Sequence, residues 1–172
     1  MMLPQEVIRR KRNGEDLSRE LVKDFIEGLT LVNLVLEGMA YPLYSYEQRY
    51  WRPVDPYLAQ LIRGAYVDET RHVNYGAHLV RGLLAQDPTR RARVRGLCRE
   101  ARDALAEIFQ YYIRSFVSLF DAVARRHQDV FAGAEFAPGR LIADTPYEEQ
   151  IQAIHASISH EHDRLLQQAG LD

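Results

Sequence analysis

The chain has 172 residues, of which 47% are hydrophobic and 27% are charged, and its formal net charge is −2. This length and balance are typical of one globular domain with a hydrophobic core. A net charge so close to zero excludes a strong basic field, so we expect neither nucleic acid nor a membrane surface as a partner.

Apolar residues recur with helical rather than alternating spacing along most of the chain, so the predicted elements are helices. A short helix is expected over residues 4–12, because Asn13-Gly14 is a turn signal. Ser18 then stands where the N-cap of a longer helix is expected.

Pro42 is expected to end or kink that longer helix near Tyr41, because proline lacks a backbone N–H. The next segment is predicted to be an aromatic-rich connection containing Tyr44, Tyr46, Tyr50 and Trp51. Asp55-Pro56 is a helix start signal, with an N-cap followed by proline in the first turn. The helix that it begins is predicted to run to about Ala85.

Asp87-Pro88 repeats this start signal and predicts a long helix that reaches about Arg126. Residues 128–144 contain glycine and proline and are predicted to be a loop. Residues 145–148 match a capping box for the last helix, which Gly170 can end. No strand is predicted, so the expected fold class is an all-α antiparallel helical bundle in a single domain, residues 1–172.

Cys98 is the only cysteine, which excludes an internal disulfide and favours a reducing compartment. It is interpreted as a small buried apolar residue. No segment approaches the ~20 apolar residues of a membrane span, and the first residues lack a signal-peptide pattern. We therefore expect a cytoplasmic protein.

A carboxylate and an imidazole interrupt the apolar stripe of the helix that begins at Pro56. Steps of three and four residues along it give Ile62, Ala65, Glu69, His72, Gly76 and Leu79. Such a stripe is predicted to face the core, where an unpaired carboxylate is costly. Glu69 and His72 are neighbours on the helix and can hold one metal ion. The alternative is a buried hydrogen bond between them without a metal.

Glu37 interrupts an apolar run in the preceding helix, residues 34–40, and no cation lies one turn away from it. Antiparallel packing of the two helices would bring Glu37 level with Glu69. A carboxylate from one helix and Glu-x-x-His from the next make half of a di-metal site. The alternative is a half-exposed glutamate at a helix edge.

Three motifs within residues 30–85 carry a family resemblance: Leu36-Glu37, Pro53-Val54-Asp55-Pro56 and Asp68-Glu69-x-x-His72-x-Asn74-Tyr75-Gly76. They resemble the second half of the metal site in ferritin-like di-iron oxygenases, in particular the aldehyde-deformylating oxygenases and VlmB-like proteins. The resemblance implies a ferritin-like bundle that activates O2 and oxidises a small organic substrate, or iron itself.

The resemblance also implies roles for individual residues. Glu37 and Glu69 would be bridging ligands and His72 a terminal ligand. Asp68 and Tyr41 would lie just behind the ligands, with Asp68 orienting a histidine; alternatively, Asp68 faces solvent. Glutamate and histidine suit iron or manganese and also accept zinc.

The other half of the family's site has no counterpart upstream of Glu37, where the sequence holds four glutamates and no histidine. One route to completion lies inside the chain, where Glu161, His155 and His162 are weaker candidate ligands. The other route is a homodimer, because two copies of the half-site supply four carboxylates and two imidazoles. A third alternative is a vestigial or metal-free bundle that serves as a scaffold or dimerisation module.

Residues 3–29, LPQEVIRRKRNGEDLSRELVKDFIEGL, resemble the N-terminal helix pair of pyrimidine nucleoside phosphorylases. The phosphate-binding and base-binding parts of that family do not follow, so no phosphorylase activity is expected. The junction near Leu29 is compatible with a fusion, a truncated gene or a chance likeness between helical hairpins. Residues 30–172 are assigned to the ferritin-like helices.

Overall fold

Residues 4–171 are described by a computed structural model, with side chains from Gln5 onward. Within this range the chain forms an all-α helical bundle, as predicted. Its helices are α1 (Pro4–Arg12), α2 (Arg19–Thr30), α3 (Glu37–Trp51), α4 (Pro56–Gln86), α5 (Arg91–Arg126), α6 (Gln128–Phe131) and α7 (Tyr147–Gln168). A π-helical segment (Leu31–Leu36) joins α2 to α3, and a 3₁₀ turn (Pro88–Arg90) precedes α5.

Local capping signals set several helix ends where they were predicted. Ser18 Oγ accepts a hydrogen bond from the Leu21 N–H at 3.2 Å. Asp55 Oδ1 accepts from the Leu58 N–H at 2.9 Å, and α4 begins at the next residue after Asp55. Gly170 has a φ of +75° just after α7, a left-handed conformation that favours glycine.

The predicted break at Pro42 is wrong, because α3 continues through it to Trp51. The aromatic residues expected in a connection are helical instead. Tyr46 and Tyr50 are fully buried, and both rings stack on Phe120 of α5. Proline inside a helix costs about 3 kcal/mol, and burying two tyrosines can offset a cost of that size.

The predicted loop over residues 128–144 also contains short regular structure. It holds α6 and an antiparallel hairpin of β1 (Glu135–Ala137) and β2 (Arg140–Leu141). Gly139 has a φ of +71° between the two strands, a conformation that glycine adopts without strain. Phe136 of β1 is buried, so the hairpin closes one side of the core.

Two predicted helix caps use their side chains elsewhere. Thr145 Oγ1 donates to the Leu141 carbonyl at 2.8 Å, so the capping box before α7 does not form. Asp87 Oδ2 accepts from Lys23 Nζ at 2.6 Å and makes no capping hydrogen bond. The long helix accordingly starts through the 3₁₀ turn.

The candidate site lies where α3 and α4, joined by a short connection, pack along each other as an antiparallel pair. Helix α7 packs on α3 and α5, and α2 packs on the second half of α4. Residues 19–51 form one unbroken helical run, so position 29 coincides with no structural boundary. Within residues 4–171 no helix is both long enough and apolar enough to cross a membrane.

Cys98 is fully buried within the core, as predicted. Burial raises the pKa of its thiol to about 11. The thiolate form is therefore disfavoured, which is the behaviour of a structural rather than a reactive cysteine.

Candidate metal centre

Glu37, Glu69 and His72 meet on one side of the α3–α4 pair. His72 Nδ1 lies 3.1 Å from Glu69 Oε2 and 3.7 Å from Glu37 Oε1. One ligand atom from each residue lies within 4.8 Å of the other two. Across residues 4–171 this is the one group of three or more potential metal ligands.

The spacing of these atoms fits a shared ion. Carboxylate oxygens and imidazole nitrogens bind metals at about 2.0–2.2 Å, so two ligands of one ion lie about 2.8–4.3 Å apart. The two distances from His72 Nδ1 fall within that range. Three protein ligands leave coordination positions open, which is typical of a reactive rather than a purely structural metal site.

The cluster opens to solvent at His72, so the predicted inward orientation of His72 is wrong, whereas Glu37 and Glu69 are partly buried. The His72 side chain is 56% exposed and that of Glu69 is 23% exposed. Two members of the predicted stripe, Ile62 and Gly76, are buried, and Val73, Ala77 and Val80 complete the buried face of α4. His72 lies to one side of that face, which leaves the cluster open toward solvent.

Asn33 holds Glu37 in place and was missed by the sequence analysis. Its Nδ2 donates to Glu37 Oε2 at 2.8 Å. Asn33 lies in the π-helical segment directly before α3, where Asn33, Leu34 and Val35 are buried in succession. The wider π turn can accommodate this run, and such turns are frequent at functional sites. The sequence held one signal for this role: Asn33 is a polar residue in an apolar run, one helical turn before Glu37.

Gly76 allows α4 and the π-helical segment to approach closely beside the cluster. A Cβ atom added at Gly76 would lie only 2.6 Å from the Cβ of Asn33. Both atoms are attached directly to backbone, so neither side chain can rotate away. The glycine in the Asn74-Tyr75-Gly76 motif is therefore explained by packing against the residue that holds Glu37.

Gly76→Ala is expected to destabilise the fold by about 1–3 kcal/mol, the usual cost of overpacking. Gly64→Ala is a matched control, because no atom lies within 4 Å of a Cβ added there in the same helix. That variant should gain up to about 1 kcal/mol, since alanine favours helix over glycine. Urea unfolding of both variants measures the difference. Equal stability of the two would contradict the role given to Gly76.

Burial raises the pKa of Glu37, and the charge of Glu69 adds to that rise. The hydrogen bond from Asn33 acts in the opposite direction and favours the carboxylate. Two carboxylates beside one imidazole thus form an acidic group in which a cation would be stabilised.

An apolar groove of about 300 Å³ adjoins the cluster on the α5 side. Its walls are formed by Ala40, Leu43, Tyr44, Glu47, Ile108, Phe109 and Tyr112. Tyr44 links the groove to the cluster, because it lies two helical turns after Glu37 on the same side of α3. Burial raises the pKa of its hydroxyl, and the charge of Glu69 raises it further. The groove and the candidate ligands therefore belong to one region of the surface.

Large apolar side chains around the groove are exposed. In the groove, Ile108 is 63% exposed and Tyr112 is 46% exposed. Leu36, which precedes Glu37 in sequence, is 43% exposed. Helix α5 has no fully buried residue between Cys98 and Ile113. We call the surface formed by Leu36, Glu37, Tyr44, Glu69, His72, Ile108 and Tyr112 the open face.

Tyr41 and Asp68, which were predicted to contact the metal ligands, form their hydrogen bonds with other residues. Tyr41 shares a hydrogen bond with Thr70 Oγ1, which links α3 to α4 one turn from Glu37. Asp68 is exposed and pairs with Arg71. Asp68 therefore does not contact His72 of its own chain, where Glu69 is the neighbour of Nδ1, and it lies on the solvent side of its turn.

The weaker candidates on α7 do not join the cluster. Glu161 binds Arg164 through both carboxylate oxygens, at 2.6 and 2.9 Å. His155 and His162 line a separate cavity of about 230 Å³. His162 is 1% exposed, and both of its ring nitrogens lack hydrogen-bond partners. Within residues 4–171, α7 therefore adds no ligand to the cluster.

No family model matches the chain, and no curated protein matches it significantly.

Proposed function

We propose that Glu37, Glu69 and His72 form half of a di-metal carboxylate centre of the ferritin-like kind, and that a second copy of the chain supplies the other half. The observation that carries the proposal is the convergence of three ligand atoms within 4.8 Å. Iron is the preferred metal and manganese the second, because both accept carboxylate and imidazole ligands.

Ligand number favours completion by a second copy. One cluster offers two carboxylates and one imidazole, which leaves a pair of ions with too few protein ligands. Two clusters facing each other across a two-fold axis offer four carboxylates and two imidazoles, the set used by di-metal carboxylate bundles. The exposed apolar residues of the open face would be buried by the same contact.

Charge makes this association dependent on the metal. Two facing clusters bring together four carboxylates, whose mutual repulsion opposes contact when no cation is present. Two divalent cations carry four positive charges and balance those carboxylates. Because metal would then bind the dimer better than the monomer, adding metal should drive dimerisation.

Bound iron would supply the reduction of O2 and the oxidation of a small organic substrate or of iron itself. The chain's own residues have positioning roles in that reaction. Asn33 fixes the carboxylate of Glu37, and the groove beside Tyr44 would hold the apolar part of a substrate. The second copy would cover this groove and limit the access of water. We place this activity in the cytoplasm, because the single buried cysteine suits a reducing compartment.

A metal-free helical scaffold is the second candidate function. Glu69 and His72 already share a hydrogen bond of 3.1 Å, and Glu37 already accepts one from Asn33 at 2.8 Å. Each polar group of the cluster thus has a partner without an ion. In this alternative the open face serves dimerisation alone.

Metal analysis separates the two candidates. The full chain is purified from iron-supplemented cells, stripped with a chelator, and reloaded anaerobically with Fe(II) or Mn(II). We expect about one metal ion per chain, half of a di-metal site, measured by inductively coupled plasma mass spectrometry. A metal content near zero both as purified and after reloading would overturn the proposal.

A further inference from the structure

A further cavity, of about 320 Å³, lies between α3, α4, α7 and β1. It shares no lining residue with the metal cluster or with the apolar groove. Polar and charged side chains contribute much of its lining: Tyr41, Ser45, Arg49, Tyr66, Ser157, His160 and Glu161. A volume at the lower end of ligand pockets suits a small ligand.

Arg49 is a guanidinium without a carboxylate partner. Within residues 4–171 no acidic group lies within 4.0 Å of it, whereas Arg164, which also lies near this cavity, is paired with Glu161. Its Nη2 donates to the Phe136 carbonyl at 3.1 Å, while its Nε is buried without a partner. Burial lowers the pKa of Arg49, and the more distant charge of Glu135 opposes this. A bound anion would compensate this half-buried positive charge.

Tyr46 adds a second unsatisfied polar group to the cavity lining. Its side chain is fully buried, and its hydroxyl has no hydrogen-bond partner. Buried polar groups are normally paired, and an orphan group often marks an absent ligand or water. The Arg49 Nε and the Tyr46 hydroxyl are thus two buried polar atoms without partners, both on residues beside one cavity. Because neither atom is open to the cavity, a bound anion would contact the terminal nitrogens of the Arg49 guanidinium.

Glu161 also lines the cavity but does not cancel the charge of Arg49. Both of its oxygens are engaged by Arg164, at 2.6 and 2.9 Å. The two charges of that pair balance each other, which leaves the charge of Arg49 uncompensated. A singly charged anion therefore fits better than a phosphate dianion, which Glu161 would repel more strongly.

We propose that this cavity binds a small organic monocarboxylate, with its carboxylate on the Arg49 guanidinium and its apolar body between Pro42, Phe136 and Ile154. The planar guanidinium matches the two oxygens of a carboxylate. The apolar walls favour an organic acid of about the size of benzoate over an inorganic anion.

Calorimetric titration with benzoate tests the proposal on the full chain after treatment with a chelator, so that no metal competes for the anion. Benzamide has the same shape without the charge and should bind at least tenfold more weakly. Arg49→Gln should weaken benzoate binding at least tenfold, about the loss expected for a charge-assisted hydrogen bond. Arg52→Gln is the matched control, because Arg52 is exposed and does not line the cavity.

A second variant tests the proposal independently in case Arg49→Gln does not fold. Ser157→Phe places bulk in the cavity from an exposed position, leaves Arg49 intact, and should also abolish benzoate binding. Circular dichroism checks that each variant folds. Absence of benzoate binding to the wild type, equal binding of benzamide, unchanged binding by the folded variants, or tighter binding of inorganic phosphate would each overturn the proposal. None of these results depends on whether the metal centre exists.

Discussion

Replacing Glu69 by alanine is expected to abolish metal binding while leaving the fold intact. The variant keeps only Glu37 and His72 as ligands in each chain. Loss of a group that merely supports a ligand typically costs 10–100-fold in affinity, and loss of a ligand itself should cost more. The fold should survive, because Glu69 pairs with an imidazole that is 56% exposed, and exposed pairs contribute little stability.

The matched control for this variant is Asp68→Ala. Asp68 is the neighbouring carboxylate, but it is exposed and pairs with Arg71 outside the cluster. Its replacement should leave metal content and affinity unchanged. Anaerobic titration with Fe(II), followed by metal analysis, compares the two variants with the wild type. Equal metal loss in both, or in neither, would remove the assignment of Glu69 as a ligand.

Replacing Glu27 by alanine is expected to lower the free energy of unfolding by about 3 kcal/mol. The side chain of Glu27 is 0% exposed and accepts from Arg90 Nη1 at 2.7 Å and Arg93 Nε at 2.8 Å. Removing one partner of a buried ion pair typically costs 3–5 kcal/mol, because the other charge stays buried and unpaired. Arg90 retains contacts with Glu20, Asp24 and Asp87, and Arg93 is 56% exposed, so neither arginine is left without compensation and the lower end of that range is expected.

Glu20→Ala is the control for the Glu27 variant. Glu20 also pairs with Arg90, but its side chain is 67% exposed. Exposed ion pairs are weak, so this variant should unfold at nearly the wild-type urea concentration. If Glu27→Ala were no less stable than Glu20→Ala, the buried network that joins α2 to the start of α5 would not have the stabilising role given to it here.

Local signals explain why much of the fold could be predicted from the sequence. Ser18 and Asp55 cap the helices that follow them through hydrogen bonds to residues three positions on. Such contacts depend on the adjacent sequence alone. The course of the chain at Pro42 could not be predicted in this way, because it depends on Tyr46 and Tyr50 packing against a helix far away in sequence.

The sequence was enough to group Glu37, Glu69 and His72, but it did not show that His72 faces solvent. Antiparallel pairing of two helices was enough to bring Glu37 level with Glu69 and His72. Which side of the pair faces the core depends on where α5 and α7 pack, and the spacing of apolar residues in α4 alone does not fix that. The role of Asn33 depends on a π turn and on the absence of a side chain at Gly76.

The most direct test of the central claim is the native mass of the metal-loaded protein. We expect a complex of two chains and two metal ions, which separates into metal-free monomers after chelation. The same measurement on Glu69→Ala should give monomers without metal. A monomer that holds its metal alone would contradict completion of the site by a second copy, and a dimer that persists without metal would favour the scaffold instead.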